Sequence, residues 1–359
     1  MYSKKEMMEK ENSKEAICFM GTFPPRECGI ATFTKDLSDA IEKKFFPYLR
    51  PKIIAMNNNG VNLYNYPTNV IYQIRDSERE DYKKIAENVN SNDEIKIISI
   101  QHEFGIFGGE YGEYLLDFLD IVKKPVIVTF HSILPNPDRK RKKIVKAIAE
   151  RVMEIVVMTP KGIEILRKEY GLTTPLRVIP HGIPTVSFET QSHAKKQLGF
   201  TDKTLLVSFG MISRGKGYEN VIKSLPEVVK NHPNVLYLIV GATHPLIRKH
   251  EGEKYRNYLD RLIKKNGLSD NVKFYNKYVT IKEIIQYLRA SDLYISPSLT
   301  PEQITSGTLA YAMGCGRPVI ATPIIYAKEL LAQDRGVIIK DFCNPEAFSE
   351  ALERILSDS

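Results

Sequence analysis

The feature that most constrains this chain is an alternation that runs through it twice. Short runs rich in Val and Ile, bounded by turn residues, alternate with longer amphipathic stretches. The runs fall at 16–20, 51–56, 69–74, 95–100, 125–130, 153–158 and 176–180, with helical stretches expected at 31–44, 78–90, 110–122, 138–150 and 160–169. The pattern breaks near 180–200, at Pro180-His-Gly-Ile-Pro184 and a polar stretch to Phe200. It then restarts with strands at 204–209, 235–240, 271–275, 292–296 and 318–321. Helices are expected at 217–231, 246–266, 281–289, 306–314, 326–332 and 345–356. Continuous apolar runs of strand length read as strands buried on both faces, which is how parallel sheets look in sequence. The expected fold class is therefore α/β, with two Rossmann-like doubly wound domains facing a cleft and boundaries at 1–184 and 185–359. In such sheets ligands sit outside the carboxyl ends of the strands, so the residues just after each strand are the candidates for function.

Composition removes several classes. No apolar run approaches the roughly 20 residues of a membrane helix. The segment Met1–Lys10 carries both signs of charge and no signal-peptide core. The four cysteines, Cys18, Cys28, Cys315 and Cys343, form no C-x-x-C pair, which argues against a disulfide scaffold or structural zinc and for a reduced, cytoplasmic compartment. The net charge of +8 is spread: residues 1–184 hold 28 Lys and Arg against 25 Asp and Glu, and the rest hold 23 against 18. Without a nucleic-acid motif, no nucleic-acid partner is expected. One basic cluster stands out, Arg139-Lys-Arg-Lys-Lys143 with Lys146. A solvated helix face is its plainer reading, and contact with an anionic acceptor or a membrane surface is the alternative.

Five stretches after strands carry candidate chemistry. Gly21-Thr-Phe-Pro-Pro-Arg-Glu-Cys-Gly29 leads into a helix, and a glycine there lets an anion approach free backbone N–H groups; a plain turn is the alternative. His102 and Glu103 sit on a loop rich in glycine and aromatic residues, suited to sugar hydroxyls or to a structural pair. His131 ends the 125–130 strand, facing a ligand or satisfied in the core. Arg214 and Lys216 lie among glycines before a helix, as a diphosphate clamp would, or as a solvated turn. Gln303, Ser306, Gly307 and Thr308 precede or open another helix, as a second anion or hydroxyl site, or with Ser306 as a simple N-cap. The chain has no G-x-G-x-x-G, no Asp-x-Asp and no G-x-S-x-G. Nicotinamide or flavin binding, a metal-held diphosphate and a serine-hydrolase triad are not expected.

Taken in order, these stretches resemble the retaining glycosyltransferases of the GT-B fold, family four, over nearly the whole chain. Gly29 matches the family's N-terminal glycine loop and His131 its cleft histidine. Pro180-His-Gly-Ile183 matches its linker, Lys216-Gly217 its phosphate-binding pair, and Ala312–Ala321 its C-terminal stretch. The segment G-T-F-P-P-R-x-C-G-I-A-T-F-T and Gln303–Ala312 resemble one branch of glycosyl- and mannosyltransferases. The sequence departs from the family in two places. Met211 stands where an arginine is usual, with Arg214 expected in its stead. Gln303 and Tyr311 stand where the family has paired glutamates, which leaves donor identity and activity open.

The resemblance implies transfer of a hexose, mannose first and glucose second, from GDP-mannose or UDP-glucose to a saccharide or lipid-linked acceptor. Configuration would be retained, with no metal and no resident cofactor. The N-terminal domain would serve the acceptor and the C-terminal domain the nucleotide sugar. Gly29, Arg214, Lys216, Gln303, Ser306, Gly307 and Thr308 would hold the donor and its diphosphate. Tyr278 and Val279 would lie near the base, and His131, Glu103 and His102 would orient the reacting groups. A GT-B phosphorylase, an epimerase and a non-catalytic sugar- or nucleotide-binding module are the alternatives. Family members usually end on a helix that returns to the N-terminal domain. A chain stopping at Ser359 is therefore expected to be a trimmed chain or one with a loose hinge.

Overall fold

A computed structural model describes residues 15–58, 64–187 and 189–357. The segment Met1–Lys10 and the chain end at Ser359, on which two of the expectations rest, lie outside the described residues. The chain divides into two compact units, Met1–Gly182 and Ile183–Ser359.

The first unit is built from β1 (Glu15–Gly21), α1 (Gly29–Phe45), β2 (Leu49–Asn57), β3 (Val70–Arg75), α2 (Arg79–Ser91), β4 (Ile95–His102), α3 (Leu115–Leu119), β5 (Val126–Phe130), α4 (Arg139–Ala149), β6 (Glu154–Val157), α5 (Pro160–Lys168) and β7 (Leu176–Val178). Its sheet is parallel, in the order β3-β2-β1-β4-β5-β6-β7. The order reverses between β1 and β4, so their carboxyl ends flank a crevice.

The second unit follows as α6 (Gln191–Leu198), β8 (Thr204–Phe209), a 3-10 turn (Arg214–Lys216), α7 (Tyr218–Asn231), β9 (Val235–Val240), α8 (Pro245–Glu251), α9 (Lys254–Lys265), β10 (Val272–Tyr275), α10 (Ile281–Ala290), β11 (Leu293–Ser296), α11 (Gly307–Gly314), β12 (Val319–Ala321), α12 (Ile325–Leu330), β13 (Val337–Ile338) and α13 (Pro345–Ser357). The sheet order β10-β9-β8-β11-β12-β13 reverses between β8 and β11. Its central strands are buried on both faces. Leu206, Tyr237 and Ile239 join one apolar cluster with Tyr218 and Phe348, while Leu205, Val207, Leu236 and Leu238 join another with Tyr294 and Tyr326. That split is the two-residue period of a strand. Helix α13 packs on α7 within this unit: Phe348 and Leu352 are fully buried, and Asn231 Nδ2 donates to Glu353.

Two expected helices change and two further elements appear. The 110–122 helix shrinks to α3, because Gly109 and Gly112 take positive φ and hold a loop. The 246–266 helix breaks at Gly252, φ +63°. The polar stretch before Phe200, which reads as a linker in sequence, contains α6. Gln191 and Lys195 anchor it to Asp292, whose Oδ2 lies 2.6 Å from Lys195 Nζ. The short β13 was also not foreseen.

Candidate functional site

In the second unit the site grows from the ends of β8 and β11, where the strand order reverses. Gly210 (φ +138°) and Gly241 (φ +147°) follow β8 and β9, and a Cβ on Gly241 would lie 2.1 Å from the Gly210 carbonyl oxygen. Only glycine allows that approach. The next loop folds back onto the 297–299 segment: the Leu299 N–H donates to Gly215 O over 2.8 Å. A Cβ on Gly217 would meet Pro297 O at 2.3 Å.

This docking carries Lys216 over the end of β8, with Nζ 3.7 Å from the position a Gly210 Cβ would take. Lys216 shares a pocket with Ser208, Ser298, Gln303, Ser306 and Thr308. Burial of its ammonium end pushes its pKa below the usual lysine value. Among the described residues no carboxylate lies within ion-pair distance of it. Burial, and then the Lys216 charge, likewise lower the pKa of half-buried His244.

The opposite wall is the start of α11. Ser306 is its N-cap, accepting from Leu309 N–H at 3.3 Å, and its hydroxyl lies 3.2 Å from that of Thr308. Thr308 in turn bonds the buried Tyr294. The amide of Gln303 holds the loop: Oε1 accepts from Ser298 and Nε2 donates to Thr305 O, both at 2.8 Å. One N–H and one lone pair of that amide remain for a ligand. A cation facing a helix start with capped hydroxyls is a wall suited to an anion.

The pocket does not include every expected residue. Arg214 turns outward: it is 64% exposed, its guanidinium lies 5.4 Å from the Tyr255 ring centroid, and Glu251 is 4.0 Å away. The clamp expected from Arg214 and Lys216 therefore has one cation in the pocket. Tyr278 and Val279 are half-buried beyond the edge strand β10, Val279 packs on the apolar core, and neither lines the pocket. Tyr311 is buried within the core of this unit. The sequence reading missed Ser208, one residue before the end of β8, Ser296, which ends β11, and Ser298 beyond it. A polar residue closing an apolar run was the available signal.

In the first unit Gly29 is the first residue of α1, whose N-cap is Cys28: Sγ accepts from Ala31 N–H at 3.3 Å. A Cβ at Gly29 would meet nothing within 4 Å. The fold therefore does not require glycine there, and the space in front of it is open to a ligand.

His131 is buried, edge-on to Phe33 at 4.6 Å, and its Nε2 lies 3.0 Å from Gln101 Oε1. Gln101 Nε2 donates to Ser99, so Oε1 is the acceptor and His131 carries its proton on Nε2. The lone pair on Nδ1 remains for a ligand hydroxyl. Burial, and then the neighbouring His181 and His102, push the His131 pKa down to about 3. Beside it Ser132 donates to Glu103 Oε1 at 3.0 Å.

His102 corrects an expectation. It is fully buried among Phe104, Phe107 and Phe130, and neither ring nitrogen has a hydrogen-bond partner. Burial lowers its pKa to about 3. It is a neutral ring in an aromatic cage and presents no atom to a ligand.

The basic cluster on α4 also has a structural task. Arg141 lies 4.4 Å from the Tyr111 ring centroid and 5.4 Å from that of Phe104, and Lys140 pairs with Glu110 at 2.6 Å and Glu113 at 3.2 Å. Two of its cations thus pin the loop that roofs His102. Among the described residues no helix is long and apolar enough to cross a membrane, and no cluster of three His, Cys, Asp or Glu side chains could hold a metal ion.

Two parallel α/β units, each with its polar loops at the strand-order reversal, define a protein of the doubly wound α/β class. Residues 190–359 match the family described as Glycosyl transferases group 1. The chain has the GT-B fold: it matches sucrose-phosphate synthase from Thermosynechococcus elongatus with a TM-score of 0.73 at 17% identity, over 96% of this chain and 90% of that one. It matches HepE from Anabaena, in complex with UDP-glucose, with a TM-score of 0.70 at 17% identity over the same shares. Among sequence relatives, a GDP-mannose-dependent monoacylated alpha-(1-6)-phosphatidylinositol monomannoside mannosyltransferase from Corynebacterium glutamicum is 26% identical over 239 residues, 63% of this chain. The chain spans 58% of that relative's length. The family match thus falls within the second unit, from residue 190 onward.

Proposed function

We propose that the protein is a glycosyltransferase that moves a hexose from a nucleotide diphosphate sugar to a saccharide or lipid-linked acceptor. The observation that carries this reading is the desolvated Lys216 ammonium, unpaired with any described carboxylate, facing the Ser306–Thr308 helix start in a group 1 domain. Such a wall stabilises a diphosphate most as it leaves, when its charge is greatest. Mannose is the first donor sugar and glucose the second; the GDP-mannose dependence in the corynebacterial relative's name supports the first, and the UDP-glucose complex of HepE supports the second.

The reaction proceeds with retention, without a metal and without a resident cofactor, the leaving diphosphate helping to deprotonate the acceptor on the same face. His131, through Nδ1, and Glu103 orient acceptor and sugar hydroxyls. Gln303 contacts the sugar as a neutral group. The place of work is cytoplasmic.

Purified protein mixed separately with GDP-mannose and UDP-glucose tests this. Release of GDP or UDP that rises with acceptor, persists in chelator and gives a product of unchanged anomeric configuration is the expected result. Absence of binding to both donors at millimolar concentration overturns it. Tight binding without release would favour a non-catalytic nucleotide-sugar module, a reading that the buried Tyr311 and the engaged Gln303 amide also favour.

A further inference from the structure

Helix α1 ends at Phe45, and the chain turns into β2 through three residues. Every residue from Glu42 to Tyr48 is exposed. Phe45 is 40% exposed, Phe46 59% and Tyr48 53%. Single exposed apolar residues are ordinary on a protein surface; three aromatic rings within four positions form a patch. The turn is held in place: Phe46 N–H donates to Glu42 O and Tyr48 N–H to Phe45 O, each at 2.9 Å. Cations are interleaved with the rings, with Lys43, Lys44 and Arg50 against one carboxylate, Glu42, between 42 and 50. Lys44 Nζ lies 5.4 Å from the Phe45 ring centroid, and the Arg50 guanidinium lies 5.5 Å from that of Phe46.

We propose that this aromatic and basic turn docks on the headgroup layer of an anionic lipid bilayer. The phenol of Tyr48 suits the headgroup level and the apolar rings of Phe45 and Phe46 the acyl boundary beneath it, and lysine and arginine beside them are drawn to negative lipid. Two other occupants fit the patch less well. Bases of a single-stranded nucleic acid need open ring faces, and cations already lie over Phe45 and Phe46. A second copy meeting the same patch would set Lys43, Lys44 and Arg50 against their own equivalents. On α4, by contrast, Lys140 and Arg141 are engaged in holding the 103–113 loop.

The position has a consequence. Helix α1 runs from Gly29, at the carboxyl ends of the strands, to Phe45, at their amino ends. At 1.5 Å per residue its 17 residues separate the two by roughly 25 Å. Docking at the turn therefore tethers the first unit while leaving Gly29 and His131 clear of the bilayer.

The test is co-sedimentation of the full chain with vesicles of phosphatidylcholine alone and of phosphatidylcholine with phosphatidylserine. Binding to the anionic vesicles, weakened by salt, is expected. Affinity should fall about fivefold for each cation removed in Lys43→Ala and Lys44→Ala, and binding should be lost in the double variant Phe46→Ser, Tyr48→Ser. Arg139→Ala with Lys143→Ala should bind as the parent does. The chain contains no tryptophan, so Phe46→Trp supplies a single fluorescent reporter that keeps an aromatic ring at the site. Its emission should shift to the blue on anionic vesicles and be quenched by lipids with brominated chains. No sedimentation at low salt, binding that survives both sets of turn variants, or an indole emission from the Phe46→Trp variant unmoved by vesicles would each overturn the proposal. Binding of a single-stranded oligonucleotide in place of vesicles, lost in the same variants, would overturn it in favour of a nucleic-acid platform.

Discussion

The Nε2–H of His131 donates to Oε1 of Gln101 across 3.0 Å, leaving Nδ1 as the imidazole atom with an open lone pair. His131→Ala removes that acceptor and should lower kcat/KM about a hundredfold if it positions a hydroxyl. Gln101→Leu keeps the ring but frees it to turn, and leaves a buried N–H unpaired at a cost of about 1–3 kcal/mol. Its loss should appear in kcat more than in donor affinity. Steady-state kinetics on both variants decide this, and equal activity in the two and the parent would remove His131 from the site.

His102 and His131 make stability depend on pH. Both are held neutral by burial, with pKa values of about 3 in the folded chain, against about 6.5 unfolded. Between those values the unfolded chain binds more protons, so stability is intact above about pH 6.5 and falls as pH drops toward 3. Two such groups give a slope of about 2.7 kcal/mol per pH unit in that window. His102→Leu removes one of them together with two unpartnered buried nitrogens. It should halve that part of the slope and leave the melting temperature at neutral pH unchanged or higher. A variant that melts well below the parent at pH 7 would show that the ring nitrogens are satisfied after all.

Lys216 and Arg214 stand two residues apart in sequence and face different surroundings. Lys216→Ala should weaken GDP or UDP binding by about ten- to a hundredfold, the scale of a charge-assisted bond. Arg214→Ala should change it by less than about threefold, because an exposed guanidinium beside Glu251 contributes little. Calorimetric titration with each nucleotide separates them. The reverse ranking would mean that Arg214 leaves Glu251 and Tyr255 for the ligand.

Gly29→Ala is a probe of ligand approach. Beyond its chain neighbours and the backbone of its own helix, no protein atom lies within 4 Å of the added Cβ, and alanine is the better helix former by up to about 1 kcal/mol. Thermal stability should hold or rise slightly. If a ligand reaches the α1 start, activity should drop at the same time. Unchanged turnover with unchanged stability would leave Gly29 as an ordinary turn residue.

Much of the fold was legible because its signal is local. The 95–100 run lies in β4 (Ile95–His102), and 204–209 is β8 to the residue, since a strand buried on both faces is apolar along most of its length. Helix limits were less legible where glycine acts. Gly252 breaks one helix and Gly109 and Gly112 shorten another, through a positive φ that an amphipathic pattern does not register. Helix α6 was hidden because its anchor, Asp292, lies about a hundred residues further along.

By itself, then, the sequence determined the two parallel sheets, their strand ends and the loops where chemistry gathers, because burial on both faces and chain order write themselves into composition and period. Which side chains enter those loops was decided only in three dimensions. Arg214 is drawn out by Tyr255 and Glu251, His102 is closed in by Phe104, Phe107 and Phe130, and Lys140 and Arg141 are engaged by Glu110 and Tyr111. Lys216 reaches the pocket because Gly217 lets its loop lie against Pro297. The direction of a polar side chain is set by partners brought from distant positions, and no local pattern encodes them.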